Sequence, residues 1–226
     1  MNDFQTLLNT KDELHPDLMP YYTPAEDGGM EMVKHPFCYS VPHSQNMNAL
    51  VNERYRLIKD HMAKLWDEGK WSRFIFLHER PYRLDAFLQT LEFLTDEEFN
   101  ELLAEIWVDS ENIWQNKTAW ENLFKYEAFN KNLFMSDDDL ASYKSLPEKF
   151  TIYRGTKPNR ELGMSWTLDE DKAAWFARRL TRKSEKAIVI QAEMTKEHTL
   201  AYLGERNESE IITLPHHPVI EDVRYV

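Results

Sequence analysis

Apolar residues recur at intervals of three and four from residue 46 onward, which is the period of an amphipathic helix. The first series predicts a helix that begins near residue 46, with apolar positions at Met47, Leu50, Val51, Leu57, Ile58, Met62 and Leu65. A second helix is predicted to begin at Thr95, because Thr95-Asp-Glu-Glu98 has the capping-box pattern. Its apolar stripe consists of Phe99, Leu102, Leu103, Ile106 and Trp107. Further helices are predicted over 82–93 and 110–126, with a short one after Ser136.

After residue 150 the pattern changes to short β-branched and apolar runs between turn residues, which predict strands. These runs cover 150–155, 187–194, 200–204 and 211–214, with one helix predicted at 168–182. Helices followed by strands predict an α+β fold. Residues 1–44 contain five of the ten prolines, and we interpret them as a Pro-rich arm. The helical lobe is then expected over 45–146, in one compact domain with a β-rich core over 147–226.

Composition limits the classes of protein that the chain can represent. With 226 residues, of which 42% are hydrophobic, it can bury a core, and no run approaches the ~18 apolar residues that span a membrane. Cys38 is the single cysteine, which excludes an intramolecular disulfide. Because the first residues also lack a secretory signal pattern, we expect a soluble, cytoplasmic protein without membrane partners. The sequence has no cysteine or histidine set with zinc spacing and no Gly-rich phosphate loop.

The formal net charge of −12 is carried by the first part of the chain. Residues 1–149 hold 15 Lys and Arg against 27 Asp and Glu, whereas residues 150–226 hold 12 of each. Such an acidic surface argues against broad affinity for nucleic acids, because contacts to phosphates supply most of that affinity.

Three short motifs follow one another in the last third: Tyr153-Arg154-Gly155, Ser165-Trp166-Thr167 and Glu208-Ser209-Glu210. Arg154 ends a predicted strand, where its planar guanidinium matches phosphate oxygens bidentately. Thr167 precedes a predicted helix and, with Glu170, also fits a capping box. Taken one at a time, the arginine reads as a surface ion-pair partner and the glutamates as solvated loop acids. Their order and their places beside strands favour a shared site.

In this order the motifs resemble the arginine, serine and glutamate motifs of mono-ADP-ribosyltransferases of the arginine–serine–glutamate (ExE) branch, including bacterial and phage toxin-like members. The resemblance covers about residues 147–226. It implies a split antiparallel sheet that binds NAD as a substrate, preceded by a helical lobe, with no metal. The NAD-binding residues that it implies are Arg154, Gly155, Ser165, Thr167, Phe176, Arg179 and Glu210.

The resemblance also implies roles for the catalytic residues Glu210, Glu208, Arg154 and Ser165. Glu210 would hold the ribose and stabilise its cationic transition state, Ser165 would brace Glu210, and Arg154 would bind phosphate. Phe176 would stack on nicotinamide. From the residues alone, Trp175 is assigned to the core of an amphipathic helix, and Phe176 fits the core and the site equally.

Glu208 and Glu210 are expected to project to opposite sides of an extended segment, and so to have different partners and not to share one proton. The resemblance implies that Glu208 orients or deprotonates the acceptor. A guanidinium is a poor nucleophile that needs such a carboxylate, so protein arginine is the favoured acceptor. Glu205 stands where some members carry an acceptor-sensing aromatic, and Trp166 replaces the usual small hydroxyl residue of the serine motif.

Two other functions remain open at this point. One is ADP-ribosylation of RNA or DNA bases by a toxin of a toxin–antitoxin or phage-defence system, with an antitoxin or inhibitor protein as a partner. The other is a non-catalytic interaction module.

Overall fold

A computed structural model describes residues 9–25, 29–111, 113–181, 186–204 and 208–226. The chain divides into two compact units, 1–94 and 95–226. The described residues form helices and two antiparallel sheets, which is a mixed, α+β type of architecture. None of the helices in these ranges combines the length and the apolar character that crossing a bilayer requires.

The first unit contains a small sheet and several helices. Its sheet has the order β1-β2-β3, with β1 at Tyr22–Thr23, β2 at Met32–His35 and β3 at Tyr39–Pro42. The helices are α1 (Gln45–Asp67), α2 (Trp71–Leu77) and α3 (Arg83–Thr90), and short 3-10 helices lie at Pro16–Tyr21, Arg80–Tyr82 and Leu91–Phe93.

Within the described part of 1–44, the chain is folded and is not the expected arm. Leu18, Val33 and Cys38 are fully buried, and they pack with Val51 and Tyr55 of α1. Pro16 occupies the first position of a 3-10 helix and Pro42 the end of β3, positions that tolerate a missing backbone N–H. The Pro-rich composition of this segment therefore gave no indication of its short antiparallel sheet.

In the second unit, four helices precede a six-stranded sheet along the chain, and one more helix lies between two of its strands. The helices are α4 (Asp96–Asp109), α5 (Lys117–Leu123), α6 (Lys131–Phe134), α7 (Asp137–Ser145) and α8 (Glu170–Leu180), and a 3-10 helix lies at Ile113–Asn116. The strands are β4 (Lys149–Thr156), β5 (Ser165–Thr167), β6 (Ile188–Thr195), β7 (Thr199–Leu203), β8 (Glu210–Thr213) and β9 (Val219–Tyr225). They pair antiparallel in the order β7-β8-β5-β4-β6-β9.

Helices α4 to α7 belong with this sheet, so the expected lobe over 45–146 is divided at residue 94. Asp139 of α7 accepts a hydrogen bond from the Gly204 backbone N–H at 2.7 Å. Lys131 of α6 donates to the Thr199 carbonyl at 3.3 Å. These contacts join the helical segment to strand β7 and leave no boundary at residue 146.

The sheet opens between β4 and β5. Strand β4 pairs with β6 along its whole length, but it pairs with β5 at a single position, Tyr153 with Thr167. On its other side β5 continues into β8 over three pairs. The two halves of the sheet therefore separate beside Arg154 and Ser165, and a buried apolar cluster that includes Ile152, Trp166, Ile190 and Ile211 holds them together.

Side-chain caps begin several helices of this unit. The predicted capping box at α4 is confirmed, because Thr95 accepts from the Glu98 N–H at 3.2 Å and Glu98 accepts from the Thr95 N–H at 3.0 Å. The short helix expected after Ser136 is also present as α7, with Ser136 as its N-cap.

The capping box expected at Thr167 is wrong. Asp169 caps α8 and accepts hydrogen bonds from the backbone N–H groups of Asp171 and Lys172 at 2.8 and 3.1 Å. The Thr167 hydroxyl instead donates to the Glu208 carbonyl at 2.6 Å. Thr167 therefore ties strand β5 to the segment that carries the two motif glutamates.

Gly155 is the point of closest approach between β4 and α8, and Gly155→Ala should destabilise the protein. A Cβ at residue 155 would overlap the backbone carbonyl of Ala173 and the backbone nitrogen of Ala177. Since backbone atoms cannot rotate away, we expect a loss of about 1–3 kcal/mol. Chemical denaturation of this variant beside Gly204→Ala is the measurement. The nearest atoms to a Cβ at residue 204 are side-chain atoms at 3.2 Å or more, so equal losses would contradict the packing argument.

Candidate active site

A cleft of about 430 Å³ opens where β4 and β5 separate. Residues from α4, the following 3-10 helix, β4, β5, α8 and the start of β8 form its walls. They include every residue of the expected site: Arg154, Gly155, Ser165, Thr167, Phe176, Arg179, Glu208 and Glu210. The strands thus bring together residues that lie far apart in the sequence.

Arg154 is fixed at the floor of the cleft. Its Nη1 donates to the Ser165 carbonyl at 2.5 Å, while its Nε is buried and has no hydrogen-bond partner within the described ranges. Gly163 packs directly against the guanidinium, and a Cβ at that position would overlap it. Burial lowers the pKa of Arg154 to about 10, and the charge of Glu210 acts in the opposite direction. Arg154 therefore remains a cation at neutral pH.

Glu210 is the first residue of β8 and lies opposite Thr167 of β5. Its Oε1 accepts a hydrogen bond from the indole N–H of Trp107 at 3.3 Å. The Ser165 side chain also favours the charged form of the same carboxyl. Ser165 thus accepts a hydrogen bond from Arg154 at its carbonyl and lies beside Glu210 with its side chain.

The pKa of Glu210 is raised above that of an ordinary glutamate. Burial is the main cause, and the neighbouring charge of Glu208 acts in the same direction. Hydrogen bonds from Ser165 and Trp107, and the positive charge of Arg154, oppose this shift. A carboxyl group with a perturbed pKa in a cleft is a common mark of an active site.

Glu208 and Glu210 line the same cleft, so the expectation that they project to opposite sides is wrong. Positions i and i+2 of a regular strand face one side, and here Glu208 precedes β8 instead of lying in it. Ser209 between them has a φ of 43°, in the left-handed region. Its carbonyl accepts a hydrogen bond from the Leu168 N–H at 3.1 Å, which fixes this turn against β5.

Helix α8 presents Phe176 and Arg179 to the cleft. Phe176 is half-buried, and Arg179 is exposed at the rim. Trp175 was assigned to the core, but 49% of it is exposed, so that assignment is wrong. Its ring packs edge-on against Phe176 at 5.0 Å and lies 5.2 Å from the Arg179 guanidinium. Trp175 therefore braces two cleft residues from outside.

The cleft also includes Trp107, Trp114 and Arg160, which the sequence does not assign to the site. The indole N–H of Trp107 needs a polar partner when it is buried. The partner is Glu210, 103 residues away, and the apolar stripe of α4 does not predict this contact. Trp114 lies beneath two cations, with Lys117 at 5.2 Å and Arg160 at 5.9 Å from its ring centroid. The contact between Trp114 and Arg160 joins distant segments and is set by the fold.

Glu205, expected at an acceptor-sensing position, lies outside the described residues. Among the residues that are described, no group of three or more His, Cys, Asp or Glu side chains is placed to hold a metal ion. No protein-family model, no curated protein and no solved structure significantly matches the chain.

Proposed function

We propose that the protein is a mono-ADP-ribosyltransferase with an ADP-ribosyltransferase-like core over its six-stranded sheet. It would bind NAD in the cleft, cleave the bond between nicotinamide and ribose, and transfer ADP-ribose to an acceptor. One observation carries the proposal: Arg154, Ser165 and Glu210 come from three different strands and meet at the opening of the sheet.

The cleft suits an anionic dinucleotide. Arg154 offers a charged guanidinium whose buried Nε has no hydrogen-bond partner among the described residues, and Arg179 adds a second cation at the rim. Guanidinium groups bind phosphate oxygens in two-pronged geometry. A pyrophosphate between these arginines would leave the nicotinamide end of NAD beside Phe176 and Glu210.

Glu210 would supply the electrostatic stabilisation that the reaction needs. When the glycosidic bond breaks, its electron pair leaves with neutral nicotinamide and the ribose carbon becomes positively charged. A fixed carboxylate beside that carbon stabilises this state more than the ground state, and therefore accelerates cleavage. The charge of Arg154 favours the ionised form of Glu210.

Glu208 would orient the acceptor. A nitrogen of the incoming guanidinium forms the new bond to the ribose carbon, and Glu208 accepts the proton that this nitrogen loses. Protein arginine is the acceptor that we propose, because a cationic side chain is attracted by two carboxylates and by a chain with a net charge of −12. The single buried thiol of Cys38 fits a reducing compartment, and we propose the cytoplasm.

Incubation with NAD labelled in its adenylate phosphate, together with cell lysate, tests this function. We expect nicotinamide release and label on protein that protease removes and ribonuclease does not. Absence of both release and transfer would contradict the enzyme class. Label that ribonuclease or deoxyribonuclease removes would instead identify a nucleic acid acceptor and overturn the choice of arginine.

Phe176→Ala should weaken NAD binding if the ring stacks on nicotinamide. Loss of one aromatic contact is worth about 0.5–1.5 kcal/mol, or roughly a 2- to 12-fold increase in the dissociation constant. Calorimetric titration with NAD gives the value. Val223→Ala, an exposed position on β9 outside the cleft, is the matched control. A variant that only melts earlier and binds NAD normally would assign Phe176 to packing alone.

A further inference from the structure

The hydrogen bond between Trp107 and Glu210 joins α4 to the first residue of β8, across 103 positions of sequence. We propose that Trp107 is a positioning residue for Glu210, whose indole N–H holds Oε1 so that the carboxylate faces the cleft. Its catalytic consequence rests on the proposed function, but the contact itself can be tested without any activity.

Trp107 is well suited to hold a fixed position. Only 3% of the residue is exposed. Its ring packs edge-on against Trp120 at 5.1 Å and against Phe124 at 5.3 Å. These aromatic neighbours leave the indole little freedom, so its N–H direction is set by the packing of α4 and α5 and not by Glu210. A donor that is already oriented loses little entropy when it binds a carboxylate.

The groups around Glu210 give Trp107 a distinct task. Arg154 faces the carboxyl from β4, Ser165 from β5, Glu208 from the preceding turn and Trp107 from α4. A hydroxyl can donate or accept and can rotate, whereas an indole N–H only donates. Trp107 is therefore the neutral group that constantly favours the charged carboxylate, against the burial and the Glu208 charge that oppose it.

The first test follows the indole N–H by nuclear magnetic resonance across a pH titration. Each of the seven tryptophans contributes one indole N–H, and the signal that disappears in Trp107→Phe identifies Trp107. We expect this signal to shift with pH in the wild-type protein, with a midpoint above that of an ordinary glutamate at about 4.3, and to stay constant in Glu210→Gln. A Trp107 signal that ignores pH, or that still titrates in Glu210→Gln, would overturn the proposal.

The second test is the pH profile of NAD cleavage by Trp107→Phe, which keeps an aromatic ring against Trp120 and Phe124. Without the indole donor, the acidic limb of kcat should move to higher pH, and kcat at neutral pH should fall about tenfold or more with KM changed much less. Trp120→Phe is the matched control, because Trp120 belongs to the same aromatic group and does not line the cleft. It should lower the melting temperature and leave the acidic limb in place.

The two tests separate this inference from the proposed function. If no variant and no wild-type sample cleaves NAD while the Trp107 signal titrates with Glu210, the proposed function fails and the Trp107 contact stands. If NAD is cleaved but Trp107→Phe and Trp120→Phe give the same acidic limb, the function stands and Trp107 acts only in packing.

Discussion

Glu210→Gln should slow NAD cleavage and ADP-ribose transfer by about 10²–10³-fold, the loss that removal of one electrostatic stabiliser causes in other enzymes. Glutamine keeps the shape of the side chain, and its carbonyl can still accept the Trp107 hydrogen bond. What it lacks is the negative charge beside the developing ribose cation, so the effect belongs to the transition state. Single-turnover release of labelled nicotinamide, with calorimetry for NAD binding, is the measurement. We expect the dissociation constant of NAD to change little.

Glu208→Gln is the matched control in the same cleft. If Glu208 serves the acceptor, transfer to arginine should fail in this variant while slow cleavage of NAD by water continues. An equal loss of cleavage in both variants would assign the two carboxylates to one step. That outcome would also remove the main argument for an arginine acceptor.

The pH dependence of cleavage should report Glu210. Burial and the Glu208 charge raise the pKa of Glu210, so the ionised fraction falls at a higher pH than for an ordinary glutamate near 4.3. As the pH is lowered, the rate of NAD cleavage should therefore begin to fall at a pH above about 4.3. The residual activity of Glu210→Gln should not show this decline at acidic pH. A wild-type limb at or below the ordinary value would contradict the burial argument.

The raised pKa of Glu210 affects stability and activity in opposite directions as pH changes. Because the folded protein holds the Glu210 proton more tightly than the unfolded chain does, this group contributes stability at low pH that is lost as pH rises through its folded pKa. At neutral pH the buried, ionised carboxylate lowers the free energy of unfolding, whereas a neutral glutamine does not. Glu210→Gln should thus melt at a higher temperature than the wild type at pH 7, as expected where activity requires a strained site.

The parts of the fold that were predicted correctly are those in which local sequence and tertiary packing agree. Helix α4 follows from a capping box and an apolar stripe, and both hydrogen bonds of the box are present. Strand β4, which contains Arg154, follows from a β-branched run between turn residues. In contrast, every residue of β9 is exposed, so its sequence carries no alternation that could have indicated a strand.

The site was predicted in its members more than in its geometry. The arginine, serine and glutamate motifs lie in one cleft. The relative directions of Glu208 and Glu210, however, depend on the positive φ of Ser209, which the sequence pattern does not predict. The role of Trp107 depends on where α4 packs, which periodicity does not encode. Local motifs therefore indicated residues that meet in one cleft, while their contacts with distant elements come only from the fold.

Arg154→Lys should weaken NAD binding by about ten- to a hundredfold, the cost of losing charge-assisted hydrogen bonds worth roughly 1.5–3 kcal/mol. An ammonium group is a point charge that cannot offer two parallel N–H groups to a pyrophosphate. It also cannot span the same distance to the Ser165 carbonyl while facing the ligand. Calorimetric titration of NAD into the variant is the direct measurement.

Arg224→Lys is the control for a generic loss of guanidinium, because Arg224 pairs with Glu170 and Asp222 and does not line the cleft. It should bind NAD as the wild type does. Gly163→Ala reaches Arg154 by a different route, since the added Cβ would displace the guanidinium without removing its charge. If phosphate binding depends on the orientation of the Arg154 guanidinium, Gly163→Ala should weaken NAD binding, as Arg154→Lys does. If only the positive charge matters, both variants should retain most of their affinity, and the bidentate role of Arg154 would be disproved.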